Sequence, residues 1–202
     1  MQRVIAYVDG FNLYHGLREK YQKRYHWLDL PLLVSELLKP DQQLVATRYC
    51  TARISAPQPS VRRQAMYIDA LIARGVELHE GKFQAKVRRC FACGKTWPDH
   101  EEKQTDVNLA VEMLKDAHLD NVDVLMLISG DSDLAPAIRA IKLLHAEKRV
   151  IVAFPPGRFS DVLRNTAHAS FTIGRAKIAK SQFPNVVMSA SGHELHRPKE
   201  WS

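Results

Sequence analysis

Long apolar runs and paired cysteines are both missing from this sequence of 202 residues. No stretch of about 18 consecutive apolar residues occurs, so no transmembrane helix is expected, and the first residues lack the apolar region and cleavage site of a signal peptide. Three cysteines are too few, and an odd number, for a secreted disulfide framework. These absences predict a soluble, cytoplasmic protein that folds without disulfide bonds.

The charge is basic overall and unevenly distributed. Lys and Arg number 29 against 22 Asp and Glu, which gives a net charge of +7. Ten basic and three acidic residues lie between Arg48 and Lys95, whereas one Lys and seven acids lie between Thr105 and Asp133. A basic segment is compatible with an anionic partner such as nucleic acid. A solvated surface that keeps the protein soluble is the alternative for any single basic residue.

Short apolar runs alternate with helical patterns along the chain. Strand-like runs occupy residues 4–8, 44–54, 124–128, 150–154 and 170–173. Apolar residues at helical spacing begin at Val61, Val107 and Leu134, with Thr105 as the expected N-cap of the second stripe and Ser160 as the cap of a further short helix. This alternation predicts an α/β domain with a mainly parallel sheet.

Two segments depart from this alternation. Residues 81–104 read as an insertion that contains a half-buried strand and a Cys-x-x-Cys pair. Residues 181–202 are polar and are expected to form a loosely held tail. The domain is therefore predicted to span residues 1–180, with the insertion inside it.

Four aspartates lie at or near the ends of predicted elements. Asp9 ends the first strand, Asp131 and Asp133 follow the strand at 124–128, and Asp106 opens a helix. In parallel sheets the ligand crevice lies at the carboxyl ends of strands where the strand order reverses, so Asp9, Asp131 and Asp133 would converge there if the strands at 4–8 and 124–128 are neighbours. Oxygen ligands without His or thiolate select Mg²⁺ or Mn²⁺. A turn or capping role is the alternative for each Asp taken alone.

Three segments resemble the motifs of NYN domains, which are PIN-like nuclease domains. They are Val8-Asp9-Gly10-Phe11-Asn12-Leu13, Lys103-Gln104-Thr105-Asp106-Val107 and Ser129-Gly130-Asp131-Ser132-Asp133-Leu134. The chain is most similar to the bacterial LabA-like branch, over about residues 3–175. The resemblance implies a PIN-like, Rossmannoid three-layer sandwich and a metal-dependent ribonuclease that hydrolyses RNA phosphodiester bonds.

The resemblance also implies roles for individual residues. Asp9, Asp106, Asp131 and Asp133 would hold Mg²⁺ or Mn²⁺, and Asn12 would position a ligand water or a phosphate. Ser129 and Ser132 would support the metal ligands, although Ser132 is also a candidate helix cap. Lys103 would contact a substrate phosphate, with a solvated lysine as the alternative.

One departure from the family pattern keeps other functions open. PIN-like relatives often carry a further acid before the last strand, but residues 163–168 contain none, and the nearby Asp161 reads as a residue of a helix first turn. This loss favours one metal ion over two, and it leaves a non-catalytic RNA-binding or regulatory module as the first alternative. A small-phosphoester phosphatase ranks last, because Asp9-Gly10-Phe11 lacks the second Asp of a haloacid-dehalogenase-like nucleophile pair.

Two further groups of residues are candidates for binding. Cys90 and Cys93 form half of a structural zinc site, for which Cys50, His79 and His100 are candidate partners, and a reduced pair in a turn is the alternative. The candidates for contact with RNA phosphates, beside Lys103, are Arg62, Arg63, Lys86, Arg88 and Arg89. Binding through such residues would weaken steeply with salt.

Overall fold

A computed structural model of the chain describes residues 1–189 and 191–201, without the side chains of Ala85, Pro98, Asp99 and His100. The strands are β1 (Gln2–Asp9), β2 (Gln42–Thr51), β3 (Glu77–Glu80), β4 (Lys82–Arg89), β5 (Thr96–Lys103), β6 (Val124–Ile128), β7 (Arg149–Phe154), β8 (Ala169–Thr172), β9 (Val186–Met188) and β10 (Glu194–His196). The α-helices are α1 (Gly10–Tyr21), α2 (Leu30–Leu37), α3 (Gln58–Ala73), α4 (Thr105–His118), α5 (Ala135–Leu144), α6 (Asp161–Thr166) and α7 (Arg175–Lys180). Within these described residues, no helix is long and apolar enough to cross a membrane.

The central sheet has six parallel strands in the order β3-β2-β1-β6-β7-β8. Strands β2 and β3 follow in order on one side of β1, whereas β6, β7 and β8 follow in order on its other side. The order therefore reverses between β1 and β6, where Val8 pairs with Ile128. The prediction of a mainly parallel sheet is confirmed, and the strands at 4–8 and 124–128 are neighbours, as convergence of the aspartates requires.

Helices cover both faces of this sheet, so the fold is a three-layer sandwich. Along β1, Val4, Ala6 and Val8 point into one buried apolar cluster, whereas Ile5 and Tyr7 point into the other. The first cluster contains residues of α1, α2, α3 and α7, and the second contains residues of α4, α5 and α6. Because both faces are buried, the strand sequences are continuous apolar runs rather than alternating ones.

The helix starts follow from short polar side chains at the ends of strands and loops. Asp9 and Asp29 accept hydrogen bonds from the third backbone N–H beyond them and cap α1 and α2. Ser160 caps α6 as predicted. The prediction that Thr105 caps α4 is wrong: Thr105 is the buried first residue of the helix, and the preceding Gln104 takes a left-handed conformation with φ of 74° and makes no side-chain cap.

The predicted insertion is an antiparallel hairpin of β4 and β5 outside the central sheet. Eight residue pairs join its strands, from Lys82 opposite Lys103 to Arg89 opposite Thr96. At its base Phe83 stacks on Phe11 of α1, with ring centroids 6.2 Å apart. The expectation of a half-buried strand fails near the tip of the hairpin, where Val87 is 72% exposed.

The C-terminal segment differs from the expected loose tail. Strands β9 and β10 form a small hairpin, and Leu195 and Trp201 belong to the core cluster that contains α1 and α3. The backbone of Phe183 donates a hydrogen bond to the carbonyl of Trp27 over 2.9 Å. Burial of a few large apolar side chains outweighs the polar composition of the segment, because each contributes about 2 kcal/mol.

Arg48 lies inside the fold although it belongs to the basic stretch of the sequence. It is 7% exposed, and its guanidinium donates to both carboxylate oxygens of the fully buried Asp116, over 2.6 and 2.8 Å. Tyr7 donates a third hydrogen bond to the same carboxylate over 2.8 Å. Burial opposes ionisation of Asp116, but these hydrogen bonds outweigh it and hold its pKa below the usual value.

Candidate active site

The site is built on Asp9, the last residue of β1, at the point where the strand order reverses. Its side chain is 4% exposed. One carboxylate oxygen accepts from the backbone N–H of Asn12 over 2.9 Å, and the other accepts from the hydroxyl of Ser129 over 2.8 Å. The same residue therefore caps α1 and holds the end of β6, which fixes the direction of its carboxylate.

The loop after β6 is held against α1 by a chain of short hydrogen bonds. Asn12 accepts from the backbone N–H of Gly130 over 2.9 Å, and Ser129 accepts from that of Asp131 over 3.0 Å. Asp131 in turn accepts from the N–H of Asp133 over 2.9 Å and caps a short 3₁₀ turn at residues 132–134. Asn12 therefore positions this loop, and Asp131 rather than Ser132 is the cap.

Glycine at position 10 allows the close approach of α1 to β2. A β-carbon there would lie 2.7 Å from the ring of Tyr49 and 2.9 Å from the carbonyl oxygen of Cys50. Any larger residue would push the first turn of α1, and with it Asp9 and Asn12, away from the sheet.

Four carboxylates from four segments line one cavity of about 870 Å³ at this edge of the sheet. They are Asp9, Glu102 of the hairpin, Asp106 of α4 and Asp131. Asp133 is exposed on the 3₁₀ turn, and its negative charge acts on Asp106. Glu102 is absent from the sequence-based list of site residues. Its Oε1 is buried and has no hydrogen-bond partner among the described residues.

Burial and mutual repulsion make these carboxylates hard to ionise. Burial, with the charges of Asp106 and Asp131, raises the pKa of Asp9 to about 6 despite its two hydrogen bonds. Burial, with the charges of Asp9 and Asp106, raises the pKa of Glu102 to about 7. The pKa of Asp106 is also raised, by burial and then by Asp131 and Asp133. The cavity therefore favours a bound positive charge.

The family model for the NYN domain matches residues 3–174. The chain belongs to the NYN family. NYN domains are placed in the PIN-like nuclease superfamily, in agreement with the sheet order and with the motif resemblance.

Two similar proteins extend this comparison. A 6-hydroxy-3-succinoylpyridine 3-monooxygenase, HspA of Pseudomonas putida (strain DSM 28022 / S16), is 29% identical over 98% of this chain and 75% of its own length. A protein of unknown function from Vibrio parahaemolyticus RIMD 2210633 has a solved structure that superposes with a TM-score of 0.58. That match has 23% identity and covers 86% of this chain and 94% of the Vibrio chain, so it shows the shared fold.

The donor chemistry of the NYN site fits a hard divalent cation. Within residues 1–189 and 191–201, no three or more His, Cys, Asp or Glu side chains lie close enough together to hold a metal ion as they stand. Mg²⁺ does not need so many protein ligands, because it keeps several waters and binds through one or two carboxylates. Asp9, Asp106 and Asp131 supply carboxylate oxygens in one cavity, and Glu102 adds a carboxylate that lacks a partner at Oε1.

Most of the predicted phosphate contacts lie outside the cavity. Arg63 lines it, whereas Arg62 is exposed on α3. Lys86 pairs with Glu101 over 3.0 Å, and Lys103 lies 3.8 Å from the same carboxylate. Arg88 and Arg89 are exposed on the hairpin. Three cations that no sequence motif marks do line the cavity, namely Arg18, Lys23 and Arg158.

The cysteine pair lies at the tip of the hairpin, in the turn between β4 and β5. Hydrogen bonds from Cys93 lower the pKa of the Cys90 thiol. Two candidate zinc partners, Cys50 and His79, are paired across β2 and β3 in the central sheet, and the side chain of the third, His100, lies outside the described residues. The described side chains therefore place two thiols at the tip, where a structural zinc site needs four ligands.

We expect Glu102→Gln to stabilise the metal-free protein at pH 8 and to leave it unchanged at pH 5. The raised pKa means that folded protein keeps the Glu102 proton up to about pH 7, whereas unfolded protein loses it above about pH 4.5. Stability is therefore lost as pH rises through this window, by about 1–2 kcal/mol after allowance for partial exposure. Urea denaturation in EDTA at both pH values measures this, and parallel pH profiles for the two proteins would contradict it.

Proposed function

We propose that this NYN-family chain is a metal-dependent nuclease that hydrolyses RNA phosphodiester bonds at the carboxylate cavity. The observation that carries the proposal is the convergence of Asp9, Asp106 and Asp131 on the cavity at the point where the strand order reverses. The pKa values of Asp9 and Glu102 are raised, which means that ionising these two carboxylates in the cavity is unfavourable. A bound cation would stabilise their ionised forms.

The proposed mechanism divides the work among the residues of the cavity. A bound divalent cation would polarise a phosphate oxygen and activate a water. Asp9, Asp106 and Asp131 would hold that cation, with the direction of Asp9 fixed by Asn12 and Ser129. Glu102, whose carboxylate lines the same cavity, would orient the attacking water. Arg18, Arg63 and Arg158, which line the cavity, would contact phosphate oxygens.

A cleavage assay tests the proposal against its main alternatives. End-labelled RNA is incubated with the protein in Mg²⁺, in Mn²⁺ and in EDTA, and a small phosphomonoester is assayed in parallel. The proposal expects cleavage that requires the divalent ion. RNA binding without cleavage in either metal would favour the non-catalytic module, and release of phosphate from the monoester without RNA cleavage would favour a phosphatase.

RNA affinity is expected to fall with salt and to depend on the hairpin. Removing Arg88 and Arg89 in the double variant Arg88→Ala/Arg89→Ala should reduce the slope of log affinity against log salt by about 1.4, because each lost contact with a phosphate of a single strand reduces it by about 0.7. Fluorescence anisotropy with labelled single-stranded RNA in EDTA measures the slope. Arg139→Ala, an exposed cation on α5, is the control. An equal slope for the double variant and the control would show that Arg88 and Arg89 of the hairpin do not contact RNA phosphates.

The Pseudomonas relative gives a second candidate function. Its name assigns it an oxygenation of a succinoyl-substituted hydroxypyridine, and the cavity of the present chain contains aromatic rings and arginines that would suit an aromatic acid. Incubation with 6-hydroxy-3-succinoylpyridine, oxygen and a reduced nicotinamide, followed by chromatography, tests this candidate. Turnover there, together with no cleavage of RNA, would replace the nuclease proposal.

A further inference from the structure

The two cysteines at the tip of the β4–β5 hairpin are accessible from solvent. Cys90 follows β4 directly, and Cys93 lies three residues later in the turn before β5. Cys90 is half-buried and Cys93 is exposed. Two accessible cysteines at the spacing Cys-x-x-Cys are typical of one half of a zinc site.

The turn brings the two sulfurs together. The N–H of Gly94 donates to the carbonyl of Cys90 over 2.9 Å, and the N–H of Cys90 donates to the carbonyl of Lys95 over 2.7 Å. Gly94 takes a left-handed conformation with φ of 70°, which glycine adopts without strain. The backbone N–H and the thiol of Cys93, and then the N–H of Ala92, donate hydrogen bonds to the Cys90 sulfur and lower its pKa. These bonds favour the thiolate, which is the form that binds zinc.

Within the described residues, the same chain supplies no third or fourth zinc ligand at the tip. Cys50 and His79 lie in the central sheet, where they pair across β2 and β3. The hairpin register places position 100 opposite Ala85, five residues from Cys90 along β4. At about 3.3 Å per residue this separation is about 17 Å, which is farther than an imidazole reaches. The tip therefore provides two of the four ligands that a structural zinc site needs.

Large apolar side chains at the tip are also exposed. Phe91, between the two cysteines, is fully exposed, and Val87 and Trp97 on the two strands are 72% and 46% exposed. Exposed apolar side chains that lie near one another are typical of a contact with another protein. Arg89 and Lys95 place positive charge beside the turn, and this charge complements the net negative charge of a zinc ion with four thiolates.

We propose that the hairpin tip is a zinc site shared by two copies of the chain, with Cys90 and Cys93 of each copy as the four thiolate ligands. Thiolates select Zn²⁺ over hard cations, and a two-fold axis through the metal supplies the second pair. Zinc binding releases the protons of the thiols and brings the two Phe91 side chains into the contact. This site is separate from the carboxylate cavity, because Glu102 lies opposite Phe83, seven residues or about 23 Å from Cys90 along β4.

The zinc content and molar mass of the full chain test this inference. The protein is freed of metal, kept reduced with a thiol-free reductant and titrated with Zn²⁺. The inference expects the tip to bind about half an equivalent of zinc per chain, and light scattering to show a doubling of the molar mass of the zinc-free protein. X-ray absorption at the zinc edge should show four sulfurs at about 2.3 Å.

Variants separate the tip from other groups that bind zinc. Cys90→Ser and Cys93→Ser change accessible positions and should lose the zinc-dependent doubling, together with the half equivalent of zinc that accompanies it. Zinc bound at the carboxylate cavity would remain in both. Cys50→Ala removes the buried third cysteine and is the matched control, which should still double in mass. Phe91→Ala keeps the ligands and should weaken the zinc-bridged dimer by about tenfold, because it removes apolar area from the contact.

Three results would each overturn the inference. They are a full equivalent of zinc at the tip without a change in mass, a zinc-dependent doubling that persists in Cys93→Ser, and no loss of bound zinc in either serine variant. In the last case, a disulfide between Cys90 and Cys93 in air-oxidised protein would assign the pair to thiol–disulfide exchange instead. None of these measurements depends on RNA cleavage, so their outcome is independent of the proposed function.

Discussion

Replacing Asp131 by Asn is expected to lower the rate of RNA cleavage by about a thousandfold and to leave the fold intact. A metal ion at a phosphoryl centre supplies several kcal/mol of charge stabilisation, and each 1.36 kcal/mol lost lowers the rate about tenfold. Asn lacks the negative charge but keeps the oxygen that accepts from the N–H of Asp133, and it caps turns as well as Asp does. Asp131 therefore tests the chemistry with less structural disturbance than the buried Asp9.

The control is Asp161→Asn, which removes a carboxylate from the exposed first turn of α6. Asp161 pairs with Arg164 over 2.9 Å at the surface, so this variant should cleave RNA within about twofold of the wild-type rate. Single-turnover cleavage in Mn²⁺ and thermal melting are measured for both variants. Cleavage by Asp131→Asn at the wild-type rate, with an unchanged melting temperature, would show that the carboxylate cavity does not perform the reaction.

Replacing Asp116 by Ala is expected to cost about 3–5 kcal/mol of unfolding free energy. The substitution leaves the buried guanidinium of Arg48 and the buried hydroxyl of Tyr7 without their shared acceptor. Breaking one partner of a buried ion pair has effects of this size, because the remaining charge stays out of water without compensation. Urea denaturation at pH 7 measures the loss.

Two comparisons separate the charge from the loss of side-chain volume. Glu36→Ala breaks the surface pair with Lys177, 3.0 Å apart, and should cost less than about 1 kcal/mol. The double variant Arg48→Met/Asp116→Leu removes both charges and should recover most of the stability. A loss below about 1 kcal/mol for Asp116→Ala would mean that Glu77, which already pairs with Arg48, and Glu112, 3.7 Å away, compensate the buried charge.

The central sheet and part of the site could be predicted because their signals are local. The runs at 4–8 and 124–128 are apolar throughout, and this pattern is typical of strands covered on both faces. Asp9 follows the first run directly and Asp131 follows the second after two residues, so the pairing of these two strands suffices to place both carboxylates at one edge. The rule for ligand positions in parallel sheets then predicts the crevice.

The rest of the site depends on contacts between residues that are distant in sequence. Glu102 lies in the run Asp99-His100-Glu101-Glu102-Lys103, in which nothing distinguishes it from a solvated acid. Its position follows from the hairpin register, which places it opposite Phe83. Tyr14 of α1 and Trp201, which both line the cavity, are likewise joined through contacts with the ring of His26. No periodicity in the sequence connects these positions.

Net charge was a poor guide to the phosphate-binding surface. Arg48 contributes to the basic stretch of the sequence but lies in the core, where Asp116 and Glu77 pair with it. Arg53 and Arg74 of the same stretch pair with Glu80 and Asp29. The count of basic residues does not distinguish cations that pair with acids of the same chain from cations that are available to a ligand.

The burial of Trp201 determines when, during synthesis of the chain, the wall of the cavity is completed. The carboxylates are complete once residues 1–133 have been synthesised, but the cavity wall formed by Trp201, and the hold of Glu200 on Arg63, require a further 70 residues or so. A ribosome-bound chain that ends before Trp201 therefore contains the acidic residues without the finished cavity wall. Under the proposed function, the site would reach its final shape only after the chain has been released and this last segment has folded.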